Sequence, residues 1–168
     1  MEGALKLLRD LNPSKASVLD EVPRRLLKEL ADELAPILRV LFEQSLHTGT
    51  VPKDWKRAKV TPVFRKGNVY LPENYRPISL TCVCIKLLEH IVACHIRQHL
   101  ETYIMSPVQH GFRAHRSCES QLLITLQIYK TLCRTGKQVN VAVLDFAKAF
   151  DTVPHCSLLS KLQFYGIN

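Results

Sequence analysis

Apolar residues recur at intervals of three and four in the first third of the chain, a spacing typical of an amphipathic helix. The apolar positions of this helix are Leu26, Leu27, Leu30 and Leu34. Asp20 is its predicted N-terminal cap, ahead of Pro23. Pro36 should break or kink the pattern because proline lacks the donor N–H that a helix interior needs. The second helix is predicted to carry the apolar residues Ile37, Leu38, Leu41, Phe42 and Leu46, and Gly49 ends it.

Residues 51–80 follow a different pattern, in which prolines separate short apolar segments. The dipeptides concerned are Val51-Pro52, Thr61-Pro62, Leu71-Pro72 and Arg76-Pro77. Because proline cannot donate to a sheet ladder, it is confined to edge strands, strand starts and bulges. This stretch therefore predicts one or two edge-type strands joined by loops.

The second half of the chain predicts three further helices. They extend over about Cys84–Tyr103, Cys118–Arg134 and His155–Tyr165. Ser117 is the predicted N-terminal cap of the second of these helices, and Gly136 closes it.

The run Gln138–Leu144 is apolar and β-branched, and it lies between Gly136 and Asp145. This composition predicts a buried strand, so that the pattern as a whole is that of a mixed α+β fold. Such a strand needs neighbours on both edges.

The composition indicates a globular protein inside the cell. The chain has 168 residues, which allows one domain or a piece of a larger one, and 46% are hydrophobic, which excludes general disorder. No apolar run approaches the roughly 18–20 residues of a membrane span, and the N-terminal residues do not resemble a secretory signal. The six cysteines form no CxxC pair and are expected to be reduced. We therefore expect a nuclear or cytoplasmic protein that is neither secreted nor membrane-bound.

The formal net charge of +8 is concentrated in one part of the sequence. Residues 1–50 hold 7 basic and 8 acidic side chains, whereas residues 51–100 hold 9 and 3. The densest basic stretch extends from Lys53 to Arg76. Clustered cations are typical of proteins that bind a polyanion, since each neutralised phosphate releases counterions. The alternative is a solvated basic face.

Two places in the sequence carry side chains that could bind a metal ion. The first is the group His90, Cys94, His95 and His99. It contains two pairs of residues four positions apart, a spacing that can bind zinc. The two pairs, however, lie on adjacent faces of one helix. The preferred interpretation is therefore a partly exposed helix rich in histidine. The second is Asp145, since a carboxylate fixed at the end of a strand suits Mg²⁺. The alternative is that Asp145 caps the turn or helix that follows.

Three blocks of the sequence resemble, in order and spacing, the opening blocks of reverse transcriptases from non-LTR, LINE-like retrotransposons. They are Asn74-Tyr-Arg-Pro-Ile-Ser-Leu80, Gln109-His-Gly-Phe-Arg113 with Arg116-Ser117, and Val143-Leu-Asp-Phe-Ala-Lys-Ala-Phe-Asp-Thr-Val-Pro-His155. The resemblance covers nearly the whole chain. It implies the right-hand polymerase fold, with the fingers and connecting helices at about residues 1–135 and the start of the palm at about residues 136–168, truncated before the Asp-Asp hairpin and the thumb.

The resemblance also implies roles for single residues. Asp145 matches the first catalytic aspartate, a ligand to both Mg²⁺ ions, and Phe146 matches the residue whose carbonyl completes a metal shell. Phe150 matches the bulky gate that selects deoxynucleotides. Arg76 matches the fingers arginine that contacts the incoming triphosphate, and Lys66 matches its basic partner. Metal ions and cationic side chains of this kind neutralise the negative charge that develops during phosphoryl transfer. Without the resemblance, Arg76 is better read as a loop arginine tied to a neighbouring carboxylate.

The second block is implied to lie around the template strand. Its residues are Gln109, Gly111, Phe112 and Arg113. Asp151 belongs to the third block, where a turn-forming role is expected rather than metal binding. The implied partners are an RNA template, a DNA primer and deoxynucleoside triphosphates, and the implied cofactor is Mg²⁺.

The chain departs from the family pattern in two ways. The usual Ser-Gly-Pro-Asp reads Ser17-Val-Leu-Asp20 here, which puts the geometry of that turn in doubt. In addition, two Mg²⁺ ions need carboxylates from different strands, and Asp145 has no such partner in the sequence. The leading interpretation is the N-terminal part of a reverse transcriptase that does not polymerise DNA by itself. The alternatives are a nucleic-acid-binding relic or module without catalysis, and a plain helical interaction domain.

Overall fold

The computed structural model describes residues 2–14, 22–136, 138–146 and 148–167. Six helices and two strands make up the described chain, together with short 3₁₀ turns at Lys53–Lys56 and Pro72–Asn74. The helices are α1 Glu2–Arg9, α2 Arg24–Glu29, α3 Ala31–Thr48, α4 Val83–Tyr103, α5 Cys118–Arg134 and α6 His155–Phe164; the strands are β1 Lys59–Phe64 and β2 Tyr75–Leu80. The chain divides into two compact units, Met1–Cys94 and His95–Asn168. The mixture of helices with a small sheet agrees with the predicted α+β class.

The first unit has a hydrophobic core that is built mainly from α1, α3 and the start of α4. Leu8 on α1 is fully buried. On α3 the buried positions are Ala31, Ala35, Leu38 and Phe42, which recur at the intervals of one helix face. The ring of Trp55 packs edge-on against Phe42, with ring centroids 5.8 Å apart. This packing places the segment after α3 against the core.

The predicted break at Pro36 is wrong, because Pro36 lies inside α3. The helices are separated instead at Leu30, whose backbone has φ −97° and ψ 27°. The N–H of Leu34 donates to the carbonyl of Leu30 at 2.9 Å, so the new helix is already established before the proline. Burial of the apolar face of α3 outweighs the one hydrogen bond that Pro36 cannot make. Gly49 does end α3, with φ +63°, as predicted.

The predicted edge-type strands between residues 51 and 80 are confirmed as an antiparallel hairpin of β1 and β2. Pro62 lies opposite Pro77. Because the N–H of Arg65 donates to the carbonyl of Asn74 and hydrogen-bonded pairs alternate, the two prolines occupy a non-hydrogen-bonded pair. Their missing N–H groups therefore remove no bond between the strands and instead leave both outer edges poor templates for further pairing.

The helices of the second half match the sequence prediction. In α5 the Ser117 hydroxyl accepts a hydrogen bond from the N–H of Ser120, and the side chain of Ser120 accepts one from the N–H of Ser117, which forms a capping box. The N–H of Gly136 donates to the carbonyl of Cys133, and Gly136 has φ +71°. Within the described ranges, no helix is both long and apolar enough to span a bilayer.

The predicted buried strand at residues 138–144 is wrong for the described part of the molecule. Among the described residues only β1 and β2 pair with each other, and Val143 and Leu144 are each 89% exposed. A strand requires a neighbour that supplies N–H and C=O partners, and composition alone cannot supply one. Asp145 consequently does not follow a paired strand. The predicted cap at Asp20 and the turn from Ser17 lie outside the described residues.

Candidate nucleic-acid interface

The loop between β1 and β2 is ordered by hydrogen bonds to its own backbone. The hydroxyl of Tyr75 donates to the carbonyl of Val69 at 2.8 Å, and the amide of Asn74 donates to the carbonyl of Asn68 at 2.8 Å. The rings of Phe64 and Tyr75 pack at 5.4 Å where the two strands meet the loop. The loop that carries Lys66 is therefore fixed at both ends rather than free.

Gly67 allows this loop to close tightly. Its φ of +96° is accessible mainly to glycine, and a Cβ at this position would lie 2.9 Å from Nδ2 of Asn74. A side chain at this position would therefore displace the amide that bonds to the carbonyl of Asn68.

We expect Gly67→Ala to destabilise the first unit by about 1–2 kcal/mol, since the substitution adds backbone strain and displaces Asn74. Thermal unfolding followed by circular dichroism measures the loss. Gly49→Ala is the matched control, because Gly49 also has a positive φ of +63° but nothing lies within 4 Å of its Cβ position. Equal losses in the two variants would show that the contact with Asn74 is unimportant.

The two predicted nucleotide-binding cations, Lys66 and Arg76, belong to this hairpin. Lys66 lies in the loop and Arg76 on β2, opposite Val63, and both side chains are exposed. Arg65 lies between β1 and Lys66 and is also exposed. None of the three forms an ion pair with another described residue. Arg76 is therefore not tied to a carboxylate in the described part of the molecule, so its planar fork is available for an anion.

Four of the five other arginines of the first unit differ in this respect. Arg9 pairs with Asp32 at 2.7 Å, Arg25 with Glu29 at 2.7 Å, and Arg39 with Glu43 at 2.6 Å; Arg57 lies 3.9 Å from Asp54. The hydrogen bond to Glu29 raises the pKa of Arg25 above its usual value. Arg65, Lys66 and Arg76 lie on the hairpin and pair with no described carboxylate, and we call them the hairpin cations.

The opposite face of the hairpin is apolar. Side chains alternate between faces along a strand, so Tyr75 and Pro77 lie on the face opposite Arg76. They line a pocket of about 500 Å³ together with four residues of β1 and the loop: Pro62, Val69, Tyr70 and Pro72. Arg76 therefore lies on the face of the hairpin opposite this apolar pocket.

Two of the four predicted template-binding residues hold the backbone of their own loop. The guanidinium of Arg113 donates to the carbonyl of Ser106 at 2.9 Å, and Arg113 is half-buried. The side-chain amide of Gln109 donates to the carbonyl of Gly111 at 3.2 Å. Their polar atoms therefore contribute first to the shape of the segment 106–113.

Phe112 is the exposed member of this block. Its side chain is 81% exposed and its φ is +60°, a left-handed conformation that is rare for a bulky residue and costs roughly 1–3 kcal/mol. The ring contacts Phe150 edge-on, with centroids 5.9 Å apart. The structure thus brings a predicted template residue into contact with the predicted sugar gate.

His110 is a residue that the sequence analysis missed. It is only 7% exposed, and it is the one buried polar side chain among the described residues. Its Nδ1 lies 2.8 Å from the hydroxyl of Ser120, and its Nε2 lies 3.2 Å from a guanidinium nitrogen of Arg116. Nothing in the spacing of Gln109-His-Gly-Phe-Arg113 distinguishes a buried histidine from an exposed one.

Asp145 and Phe146 are exposed and lie in a segment without regular structure. A turn follows, in which Lys148 has φ +51° and its carbonyl accepts hydrogen bonds from the N–H groups of Asp151 and Thr152 at 2.9 and 3.1 Å. Asp151 thus takes part in a turn. In the described ranges no three His, Cys, Asp or Glu side chains cluster closely enough to hold a metal ion.

The histidine-rich part of α4 forms separate contacts. The Sγ of Cys94 lies 3.6 Å from Nε2 of His90, and Nε2 of His99 lies 2.7 Å from the carbonyl oxygen of Tyr165. His99 therefore already has a protein partner for this ring nitrogen.

Comparison with known proteins identifies the family. Residues 64–168 match the family described as reverse transcriptase (RNA-dependent DNA polymerase). The chain belongs to the reverse transcriptase family. All nine of the predicted site residues fall inside the matched range.

Relatives of this reverse transcriptase segment come from non-LTR transposable elements. The chain is 28% identical, over 99% of its length, to a probable RNA-directed DNA polymerase from transposon BS of Drosophila melanogaster. It is 33% identical, over 77% of its length, to a Pol polyprotein from the type-1 retrotransposable element R2 of Popillia japonica, and 27% identical, over 97%, to an RNA-directed DNA polymerase from mobile element jockey of Drosophila melanogaster. It covers 19%, 18% and 18% of these relatives, about a fifth of their length.

Proposed function

We propose that this chain forms the fingers, at about residues 1–135, and the first part of the palm, at about residues 136–168, of an RNA-directed DNA polymerase. In this proposal the hairpin cations contact the triphosphate of an incoming deoxynucleotide, and the block Gln109–Arg113 lies beside an RNA template. A DNA primer is the third nucleic-acid partner. Membership of the reverse transcriptase family supports the reaction class.

The observation that carries the proposal is the exposure of the hairpin cations. A triphosphate carries several negative charges in a small volume, and a planar guanidinium can grip two of its oxygens while a lysine supplies a point charge. Side chains already paired with carboxylates would first have to lose those partners. Arg65, Lys66 and Arg76 have no such partner among the described residues, and the bonded loop limits the entropy that binding would cost.

The third block supplies part of a magnesium site in this proposal. The carboxylate of Asp145 and the carbonyl oxygen of Phe146 are hard oxygen donors, which fits the ligand preference of Mg²⁺. These two residues would hold the metal, which neutralises charge on the phosphoryl group when it is bound. Phe150 would exclude a ribose 2′-hydroxyl. The contact between Phe112 and Phe150, both in the second unit, supports a position of the template residue Phe112 beside the proposed sugar gate.

The template block acts in two ways in this proposal. Gln109 and Arg113 fix the backbone around Gly111 through their hydrogen bonds, so their effect on the template is indirect. Phe112 offers an exposed ring on which a base can stack.

The purified 168-residue chain should not extend a DNA primer on an RNA template in the presence of Mg²⁺ and deoxynucleotides. Two-metal catalysis needs several converging carboxylates, and the described residues do not bring three metal-binding side chains together. Gel-resolved primer extension, with a complete reverse transcriptase as the positive control, tests this. Template-dependent extension by the purified chain would overturn the proposed incomplete magnesium site.

A module that binds nucleic acid without catalysis is the second candidate, and the same exposed cations favour it. Their attraction for phosphate does not depend on a metal ion. The two candidates are distinguished by reading the transcript beyond Asn168. An in-frame Asp-Asp hairpin supports the polymerase, whereas a stop codon favours the binding module.

A further inference from the structure

Arg113 and Arg116, on either side of the turn at Ala114-His115, make different contacts in the structure. Arg113 is half-buried, and its guanidinium donates a hydrogen bond to the carbonyl of Ser106, seven residues earlier. Arg116 is exposed and forms no ion pair with any described carboxylate. Arg113 therefore holds the loop, and Arg116 has donors left for a ligand.

His110 fixes the orientation of Arg116. A guanidinium can only donate, so Nε2 of His110 must accept the hydrogen bond from Arg116 at 3.2 Å. The ring proton then resides on Nδ1 and is donated to the hydroxyl of Ser120 at 2.8 Å. That hydroxyl donates in turn to the carbonyl of Ser117 at 2.9 Å. Each partner in this chain of hydrogen bonds has one consistent role, which requires a neutral imidazole.

The cavity next to this network has room for a ligand. Its volume is about 710 Å³, and Arg116, His110 and Ser117 lie at its wall. Apolar surface is supplied by Phe112, whose ring is exposed, and by Leu122. A positive fork beside an aromatic ring matches one nucleotide of a single strand, with its phosphate on the arginine and its base on the ring.

We infer that Arg116, positioned by neutral His110, binds a backbone phosphate of single-stranded RNA, and that Arg113 does not. The inference rests on the proposed function, in which RNA is the template that the chain binds. It assigns the phosphate contact to Arg116, which is not one of the four predicted template-binding residues. His110 acts through Arg116 and is a positioning residue.

The test is fluorescence anisotropy of the purified 168-residue chain with a labelled single-stranded RNA over a series of salt concentrations. Arg116→Gln keeps an N–H for His110 but removes the charge. We expect it to weaken binding about fivefold at 0.1 M salt and to lower the slope of log K against log salt by about 0.7, the value of one phosphate contact on a single strand. Arg113→Gln is the matched control and should lower the melting temperature while the slope stays unchanged.

The role of His110 is tested by substitution and rescue. His110→Ala should weaken RNA binding two- to fivefold, and His110→Gln should restore it, because an amide can accept from Arg116 and donate to Ser120. In the Arg116→Gln background, His110→Ala should have no further effect on affinity, as expected for a residue that acts through Arg116.

The outcomes separate the inference from the proposed function. If the unaltered chain does not bind RNA at low salt, the proposed function fails. If it binds and Arg113→Gln lowers the slope while Arg116→Gln does not, the assignment of the phosphate contact is overturned. If His110→Ala weakens binding equally with and without Arg116, His110 has a structural role only.

Discussion

The binding-module candidate predicts that replacing all three hairpin cations with alanine weakens the binding of single-stranded RNA about a hundredfold at 0.1 M salt. Each phosphate contact contributes a slope of about 0.7 to the dependence of log K on log salt, so the loss of three contacts should lower that slope by about 2. Arg65, Lys66 and Arg76 are exposed and unpaired with carboxylates among the described residues. Anisotropy titrations at several salt concentrations measure both quantities.

The chain offers a control of equal charge for this experiment. A variant with Arg9, Arg25 and Arg39 changed to alanine also removes three positive charges from the first unit, but these arginines pair with Asp32, Glu29 and Glu43. If position determines binding, the control variant retains most of the affinity. Equal losses in both variants would mean that RNA responds only to net charge, and the hairpin would then have no special role.

Leu8→Ala should lower the free energy of unfolding of the first unit by about 3 kcal/mol, within the usual range of 2–5 kcal/mol for a leucine that is truncated in a core. Leu8 is fully buried among the apolar residues of the core, and truncation leaves a cavity there in addition to the lost burial. Trp55 is the single tryptophan of the sequence and packs on Phe42. Urea titration followed by tryptophan fluorescence therefore reports on this unit.

Leu46→Ala provides the control, since Leu46 lies on α3 but is 58% exposed. Its substitution should change the free energy of unfolding by less than about 0.5 kcal/mol, as surface substitutions usually do. A loss below about 1 kcal/mol for Leu8→Ala would show that the core around α1 is loosely packed.

Local patterns predicted most of the helices because a helix is formed by residues that are close in sequence. The intervals of apolar residues located α4, α5 and α6 within one residue at either end, and Ser117 and Gly136 marked the ends of α5. Pro36 shows the limit of this reasoning. The proline removes one hydrogen-bond donor from the helix, but the burial of one face of α3 depends on residues outside any local window.

Site residues were predicted by a different route. The order of three motifs led to the reverse transcriptase family and so to Asp145, Arg76 and the block Gln109–Arg113. A motif identifies residues, but it does not show which of their hydrogen-bond donors are already bonded to other groups of the protein. Arg113 and Arg116 are both arginines of one segment, and only the three-dimensional contacts with Ser106 and His110 distinguish them.

The sequence by itself determined the family, the concentration of positive charge between residues 51 and 100, and the helices whose apolar faces recur at short intervals. The tertiary structure decided three things: that residues 138–144 have no strand partner among the described residues, that His110 is buried, and that Arg76 is unpaired with any described carboxylate. The physical reason is the range of the interactions. Periodicity and motif order are properties of neighbours along the chain, whereas strand pairing, burial and free hydrogen-bond donors depend on residues that only folding brings together.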